Sequence, residues 1–335
     1  NALRDSRRFD QGFAPELTKL IGELANQSSE KSDGTCYLNT PSGVPAELLA
    51  SLDSQISLKV NRVISNSNYI VQSLHLIALR NGSGIYTVSN PLKGLLNDER
   101  KYSSIISLPV FGEKGRRVAQ DRAITSALGE VHLRNSAKSE EVALVQTYWH
   151  LADHGTAYIV VPKNLLFATL SQPLNSELVE SGSLKSVITL PKGSLVGSGL
   201  NLVLIIVQKG EAREGTTFIE AAGGHLEDLG EISRVLNLQS THDFPENAKF
   251  VFNDEIKANL YNLTPQRYLF GEPALIIPEG FTKVKIGDLV KRIPNKRLKG
   301  EKSVKVILGS SINEFGDILV DKLGEDDKHL RNALK

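Results

Sequence analysis

YSSIISLPVFG, residues 102–112, reads as the carboxyl end of a buried strand. Ile105 and Ile106 are its apolar centre, Pro109 stops any helix from following, and Phe111 and Gly112 turn the chain outward. Open α/β sheets place their ligand sites at strand ends of this kind. The segment therefore calls for further strands on both sides of it, with helices between them.

Such elements occur in both directions. Upstream, Cys36-Tyr37-Leu38, Ser57-Leu58-Lys59-Val60 and Gly84 to Val88 read as short strands. A helix opens near Phe13-Ala14-Pro15, with Leu17, Leu20, Ile21 and Leu24 on one face and Pro15 in its first turn. Two more helical runs are Ala46 to Leu52 and Asn66 to Arg80. Downstream, Ser139-Glu140-Glu141 is a helix start, Val142, Val145, Trp149 and Ala152 form its expected core face, and Asp153-His154-Gly155 its stop. Ala157 to Pro162, Ser186 to Leu190 and Leu200 to Gln208 are near-continuous apolar runs, as strands buried on both faces require.

With 335 residues and 40% hydrophobic content, the chain can bury a large core. Its 39 Lys and Arg against 38 Asp and Glu leave a net charge of +1, so any nucleic-acid contact must come from local patches. One cysteine, Cys36, excludes an internal disulfide framework and a cysteine-rich zinc site. His150 and His154 are four residues apart but fall at a helix end and in a turn, so no metal site is expected. No run approaches the roughly 20 apolar residues of a membrane span, and no signal peptide is apparent. A cytoplasmic protein is the expectation.

Several of these segments resemble the adenine-N6 DNA methyltransferases. The run HLADHGTAYIVVPKNLLFA, residues 150–168, followed by LVESGSLKSVITLPKGSLVGSGLNLVLIIVQKG, residues 178–210, is similar in order and spacing to the modification subunit of type I restriction systems. FVFNDEIKANLYNLTPQRYLF, residues 250–270, resembles the close of that family's catalytic domain. The resemblance implies an S-adenosylmethionine-dependent, Rossmann-like fold: a seven-stranded, mostly parallel sheet with helices on both faces. It also implies a division into an N-terminal extension (1–12), a methyltransferase-like domain (13–270) and a C-terminal segment (271–335). Phe281 to Leu289, in that last segment, is similar to the opening of a target-recognition module of specificity subunits. The Lys291 to Lys299 cluster beyond it reads equally as a phosphate contact or a solvated face.

Site residues follow from the resemblance position by position. The family's strand ends in Asn-Pro-Pro-Phe; here Leu108, Pro109, Val110 and Phe111 stand in those places. Pro15 corresponds to a Phe-Thr-Pro element before the cofactor motif. The Asp-Pro-x-Cys-Gly-Ser-Gly turn is matched by Asn39 to Gly43, with Asn39 at the Asp, or Tyr37 there if Gly43 is set on the final Gly. Asn61 and Asn90 replace the acids that hold the cofactor's ribose and adenine. The loop from Glu113 to Ser136 carries Lys114, Arg116, Arg117 and Arg122, which the resemblance turns toward DNA; a solvated loop is the equal alternative. DNA, and a specificity or other restriction-modification subunit, are the implied partners.

Methylation at N6 needs an extruded base and acceptors that hold its amine toward the cofactor methyl. In the family the Asn carbonyl oxygen and the first Pro backbone carbonyl accept, and the aromatic stacks. Leu108 has no side-chain acceptor, and amides at Asn39, Asn61 and Asn90 lack the charge-assisted strength of carboxylates. The expectation is a methyltransferase fold that binds DNA or scaffolds a complex with lost or weak methylation. An active adenine-specific enzyme is the alternative.

Overall fold

The computed structural model describes residues 12–29, 35–40, 45–52, 57–60, 101–112, 138–167, 172–238, 243–270, 282 and 284. The chain divides into two compact units, Asn1–Ala274 and Leu275–Lys335, and nearly all described residues lie in the first. Elements are numbered along the described residues. They are α1 (Pro15–Ser29), β1 (Thr35–Asn39), α2 (Ala46–Ser51), β2 (Ser57–Val60), β3 (Tyr102–Ser107), α3 (Ser139–His150), β4 (Leu151–Pro162) and α4 (Gln172–Glu180). Then follow β5 (Leu184–Thr189), β6 (Leu202–Gln208), β7 (Gly215–Glu220), α5 (Gly230–Leu236), β8 (Ala248–Phe252), α6 (Asn253–Ala258) and α7 (Gln266–Leu269).

The strands form one sheet in the order β2-β1-β3-β4-β6-β5-β7-β8. Four of its seven pairings are parallel, namely β1 with β2, β1 with β3, β3 with β4 and β5 with β7. The antiparallel ones are β4 with β6, β5 with β6 and β7 with β8. The sheet thus holds eight described strands and runs past residue 210, where the sequence placed its last strand. β7 and β8 extend it because Phe218 and Val251 each bury completely against the same helical layer.

Side-chain alternation sorts the core into two layers, one on each face of the sheet. Leu38, Ile106, Val160, Leu204 and Ile188 join Leu17, Ile21 and Leu24 of α1, Leu48 of α2 and Ile232 of α5. Tyr37, Ile105, Ile159, Ile205, Val187 and Phe218 meet α3, α4, α6 and α7 on the other side. Helices on both faces therefore cover strands whose alternate residues point to opposite layers. The α1 face is the expected one, and Pro15 sits at its first position.

α1 and α2 cross closely at Gly22, where a Cβ would fall 1.9 Å from the Ser51 hydroxyl oxygen and 3.2 Å from the Leu48 carbonyl oxygen. Asn26 Nδ2 donates to the Ser51 carbonyl at 2.7 Å across the same crossing. The Tyr158 hydroxyl anchors α1 to the sheet by donating to the Leu24 carbonyl at 2.6 Å.

Two expectations around α3 are corrected. The helix ends at His150, and Asp153-His154-Gly155 lies within β4 instead of forming a stop. His154 takes a left-handed φ of 63°, and the β3–β4 register shifts between Tyr102 and Ser104, so the turn chemistry read from the sequence became an irregularity inside a strand. Trp149 is 39% exposed and not a core residue; the Lys101 ammonium lies 4.6 Å above its ring. The run Asn66 to Arg80 and the strand Gly84 to Val88 lie outside the described residues.

Candidate functional site

β3 is paired in parallel on both sides, so the segment that follows it emerges at the middle of the carboxyl edge. There the backbone N–H of Leu108 donates to the Asn39 carbonyl at 2.9 Å, and Asn39 Nδ2 donates to the Ser107 hydroxyl at 3.0 Å. The ends of β1 and β3 are thereby joined. Leu108 is 2% exposed and packs in the α1-side core layer, so its side chain faces away from solvent. Pro109 and Val110 are also buried, Phe111 is half-buried and Gly112 is exposed with φ +77°.

The first turn of α3 grips this segment. The Ser139 hydroxyl donates to the Val110 carbonyl at 2.6 Å, and the Gly112 N–H donates to Glu140 Oε2 at 3.0 Å. α3 begins here because Glu141 accepts the Lys138 backbone N–H at 2.7 Å, and acidic side chains suit a helix N-terminus. Phe111 is held between the two grips, with the Phe13 ring edge-on at 6.0 Å and 81°. Phe13 in turn belongs to a segment bound to the loop after β5: Ala14 N–H donates to the Ser194 carbonyl at 3.0 Å, and Val196 N–H to the Gly12 carbonyl at 2.8 Å.

Beside Phe111 opens a cleft of about 500 Å³, walled by Phe111, Glu140, Lys163, Asn164, Phe167 and Leu200 among others. It lies at the carboxyl end of β4, whose Pro162 pairs with Leu202. Phe167 and Leu200 are 54% and 43% exposed, so the cleft presents apolar surface to solvent. Glu140 is 3% exposed.

The structure thus brings Leu108, Pro109, Val110, Phe111, Asn39 and, through Phe13 and Ala14, Pro15 to one edge of the sheet. Pro15 itself is exposed. Gly43, Asn61, Asn90, Lys114, Arg116, Arg117 and Arg122 lie outside the described residues. At the end of β1, where the resemblance sets the Asp of the cofactor turn, the described side chains are the Asn39 amide, 3% exposed and donating to Ser107, and the Thr40 hydroxyl, buried with no partner among the described residues. An amide carbonyl and a hydroxyl can accept a hydrogen bond from a cofactor, but without the charge-assisted strength of a carboxylate.

Sequence reading missed Ser139, Glu140 and Phe167 as site residues. Ser139 and Glu140 read as an ordinary helix start, and what sets them apart is their approach to residues 110 and 112, about 28 positions away in the chain. Among the described residues, no group of three or more His, Cys, Asp or Glu side chains is placed to hold a metal ion.

Far from the cleft, at the amino end of β4, Lys209 Nζ donates to the Leu151 carbonyl at 3.3 Å and lies 4.5 Å above the Tyr148 ring. Burial, helped by the Lys101 ammonium and opposed by Asp153, lowers its pKa to about 8. Tyr268, stacked at 4.5 Å on Phe218, has its hydroxyl pushed up to about 12, chiefly by burial.

The N-6 DNA Methylase family model matches residues 68–274. Among solved structures, a type I restriction-modification methyltransferase subunit from Streptococcus thermophilus is similar at 20% identity and a TM-score of 0.64, covering 77% of this chain and 59% of that one. A modification subunit of a type I restriction enzyme from Vibrio vulnificus is 16% identical with a TM-score of 0.56, covering 74% of this chain and 56% of its own. A class I S-adenosylmethionine-dependent methyltransferase from Listeria monocytogenes is 11% identical with a TM-score of 0.51, covering 67% and 70%. No curated protein matches the chain by sequence. These likenesses show a class I methyltransferase fold, and the chain spans 56–59% of the length of the two restriction-modification subunits.

Proposed function

The chain belongs to the N-6 DNA methylase family, and from that membership we propose that it is a DNA-binding or scaffolding subunit of a restriction-modification assembly in which adenine-N6 methylation is lost or weak. The observation that carries this reading is Leu108. It stands at the end of β3 where the family resemblance sets the Asn whose carbonyl accepts from the target amine, and it is 2% exposed in an apolar layer. Loss of one positioned hydrogen-bonding group at a reacting centre costs about 100- to 1,000-fold in rate. The Asn39 amide, engaged with Ser107, supports the same conclusion for the cofactor side.

The DNA-facing surface in this reading includes Lys114, Arg116, Arg117 and Arg122, and residues 271–335, which resemble the start of a target-recognition module, belong to the recognition side of the same reading. Function resides in sites and not in folds, so a kept fold is compatible with an abandoned reaction. An active adenine methyltransferase is the second reading. The open cleft beside Phe111, with room for a base, favours it.

Calorimetry with S-adenosylmethionine, paired with transfer of a labelled methyl group to adenine-containing duplex, separates the two. The expected result is duplex binding that weakens steeply with salt and no methyl transfer above background. Robust turnover by the chain alone overturns the proposal. Leu108→Asn alone is expected to remain inactive; recovered methylation by that variant refutes the cofactor half of the argument.

A further inference from the structure

Glu140 combines three properties: its side chain is a carboxyl group, it is 3% exposed, and among the described residues only one of its two oxygens accepts a hydrogen bond. Oε2 accepts from Gly112 N–H at 3.0 Å and lies 3.2 Å from the Ser139 hydroxyl. Oε1 accepts no hydrogen bond from the described residues; Lys138 Nζ, at 4.0 Å, is within ion-pair range but too far for a hydrogen bond. A carboxylate accepts through both oxygens and cannot donate. The wall of the cleft therefore carries, on a largely buried side chain, an acceptor oxygen with unused lone pairs, joined through Gly112 to the segment that holds Phe111.

We propose that Glu140 recognises the exocyclic amine of a nucleobase seated in this cleft, taking the acceptor role that Leu108 cannot fill. The inference rests on the reading of the cleft as a site for an unstacked base. Phe111 and Phe167 offer rings on which such a base stacks, and Lys138 and Lys163 offer charge to its phosphates. An amine donating to a carboxylate gains more than one donating to a neutral carbonyl. Adenine and cytosine present that amine; thymine and hypoxanthine present a carbonyl instead.

The alternative role for Glu140, a clamp on Gly112 and nothing more, makes a different prediction. Glu140→Gln keeps a carbonyl oxygen for Gly112 N–H, and this turns the new NH₂ toward the cleft, where it donates. The clamp survives while the recognition group is inverted.

Single-stranded oligothymidylate carrying one central adenine, purine or hypoxanthine provides the probes, read by fluorescence anisotropy on the full chain. A single strand avoids the cost of extruding a base from a duplex. The wild type is expected to bind the adenine probe about tenfold tighter than the purine probe, which lacks the amine. Glu140→Gln is expected to lose that preference and to favour hypoxanthine over adenine, each affinity being taken relative to that of the purine probe in the same protein. Equal wild-type affinity for adenine and purine overturns the inference while leaving DNA binding intact. An unchanged adenine preference in Glu140→Gln does the same. Failure of all three probes to bind overturns both this inference and the DNA-binding reading on which it rests.

Discussion

At the scale of single residues, the backbone separates positions that favour glycine from those that merely contain it. Leu260 and Tyr261 hold left-handed φ angles of 56° and 55° after α6, where the Tyr261 N–H reaches back to the Ile256 carbonyl at 3.0 Å. That bond closes a helix C-terminus whose left-handed position commonly belongs to glycine, yet Leu260 occupies it with its side chain 74% exposed. Leu260→Gly relieves roughly 1–2 kcal/mol of left-handed strain against about 0.5–1 kcal/mol of added chain entropy, and should therefore raise stability by about 0.5–1 kcal/mol in urea unfolding. Gly182, with φ +63°, gives the opposite case. A Cβ there would lie 2.5 Å from the Arg213 backbone nitrogen, so Gly182→Ala should destabilise by more than about 1 kcal/mol. Titration offers a second residue-scale test. Lys209 sheds its proton near 8 in the fold and near its ordinary 10.5 when unfolded, so between those values the unfolded chain holds the extra proton and stability rises with pH. Tyr268 keeps its proton to about 12 against an ordinary 10.0, so the stability it contributes is present below 10 and is lost between 10 and 12. Denaturation midpoints across this range should rise and then fall, and Lys209→Met should flatten the first limb. That Leu108 lacks a side-chain acceptor was legible in the sequence, because it follows from residue type alone. Glu140 was not, since its carboxylate acquires meaning from Gly112, which the chain brings near only in the fold.

At the scale of elements, the sheet was read where apolar runs are continuous and missed where they are not. β4 and β6 carry all-buried stretches and were located to within a few residues, apart from the early start of β4 at Leu151. β7, GTTFIE, and β8, AKFVF, mix buried and less buried positions and sit at one end of the sheet, where β8 has one pairing instead of two to define it. Their anchoring is nonetheless strong: Phe218 is fully buried and stacks on Tyr268 at 4.5 Å. Phe218→Ala should cost about 3–5 kcal/mol, measured by denaturant unfolding. The α1–α2 crossing depends on the small size of Gly22. Gly22→Ala should push the helices apart and cost about 1–3 kcal/mol, because the backbone carbonyl of Leu48 cannot rotate away as the Ser51 hydroxyl can. Thermal melts followed by circular dichroism would show the loss.

At the scale of the whole molecule, a carboxyl edge built from β1, β3 and β4 gathers the motif segment, the grip of α3 and the cleft into one place. If this edge and the basic residues between 113 and 136 meet DNA, neutralising Lys114, Arg116, Arg117 and Arg122 together should flatten the dependence of log affinity on log salt by about one unit for each phosphate that no longer meets a cation. An unchanged slope in filter binding would exclude those four residues from phosphate contact. The sequence alone determined the α/β class, the two-sided burial of the central strands and the apolar end of the motif strand. Those properties depend on side-chain character and local spacing, which are fixed along the chain before it folds. Tertiary structure alone decided that the Asn39 amide is taken up by Ser107, that Trp149 faces outward under Lys101, and that a helix-start glutamate, largely buried, comes to line the cleft. Each of those depends on which distant residues meet, and local pattern does not specify such meetings because hydrogen-bond and ion-pair geometry is set only when strands and helices take their places in the sheet.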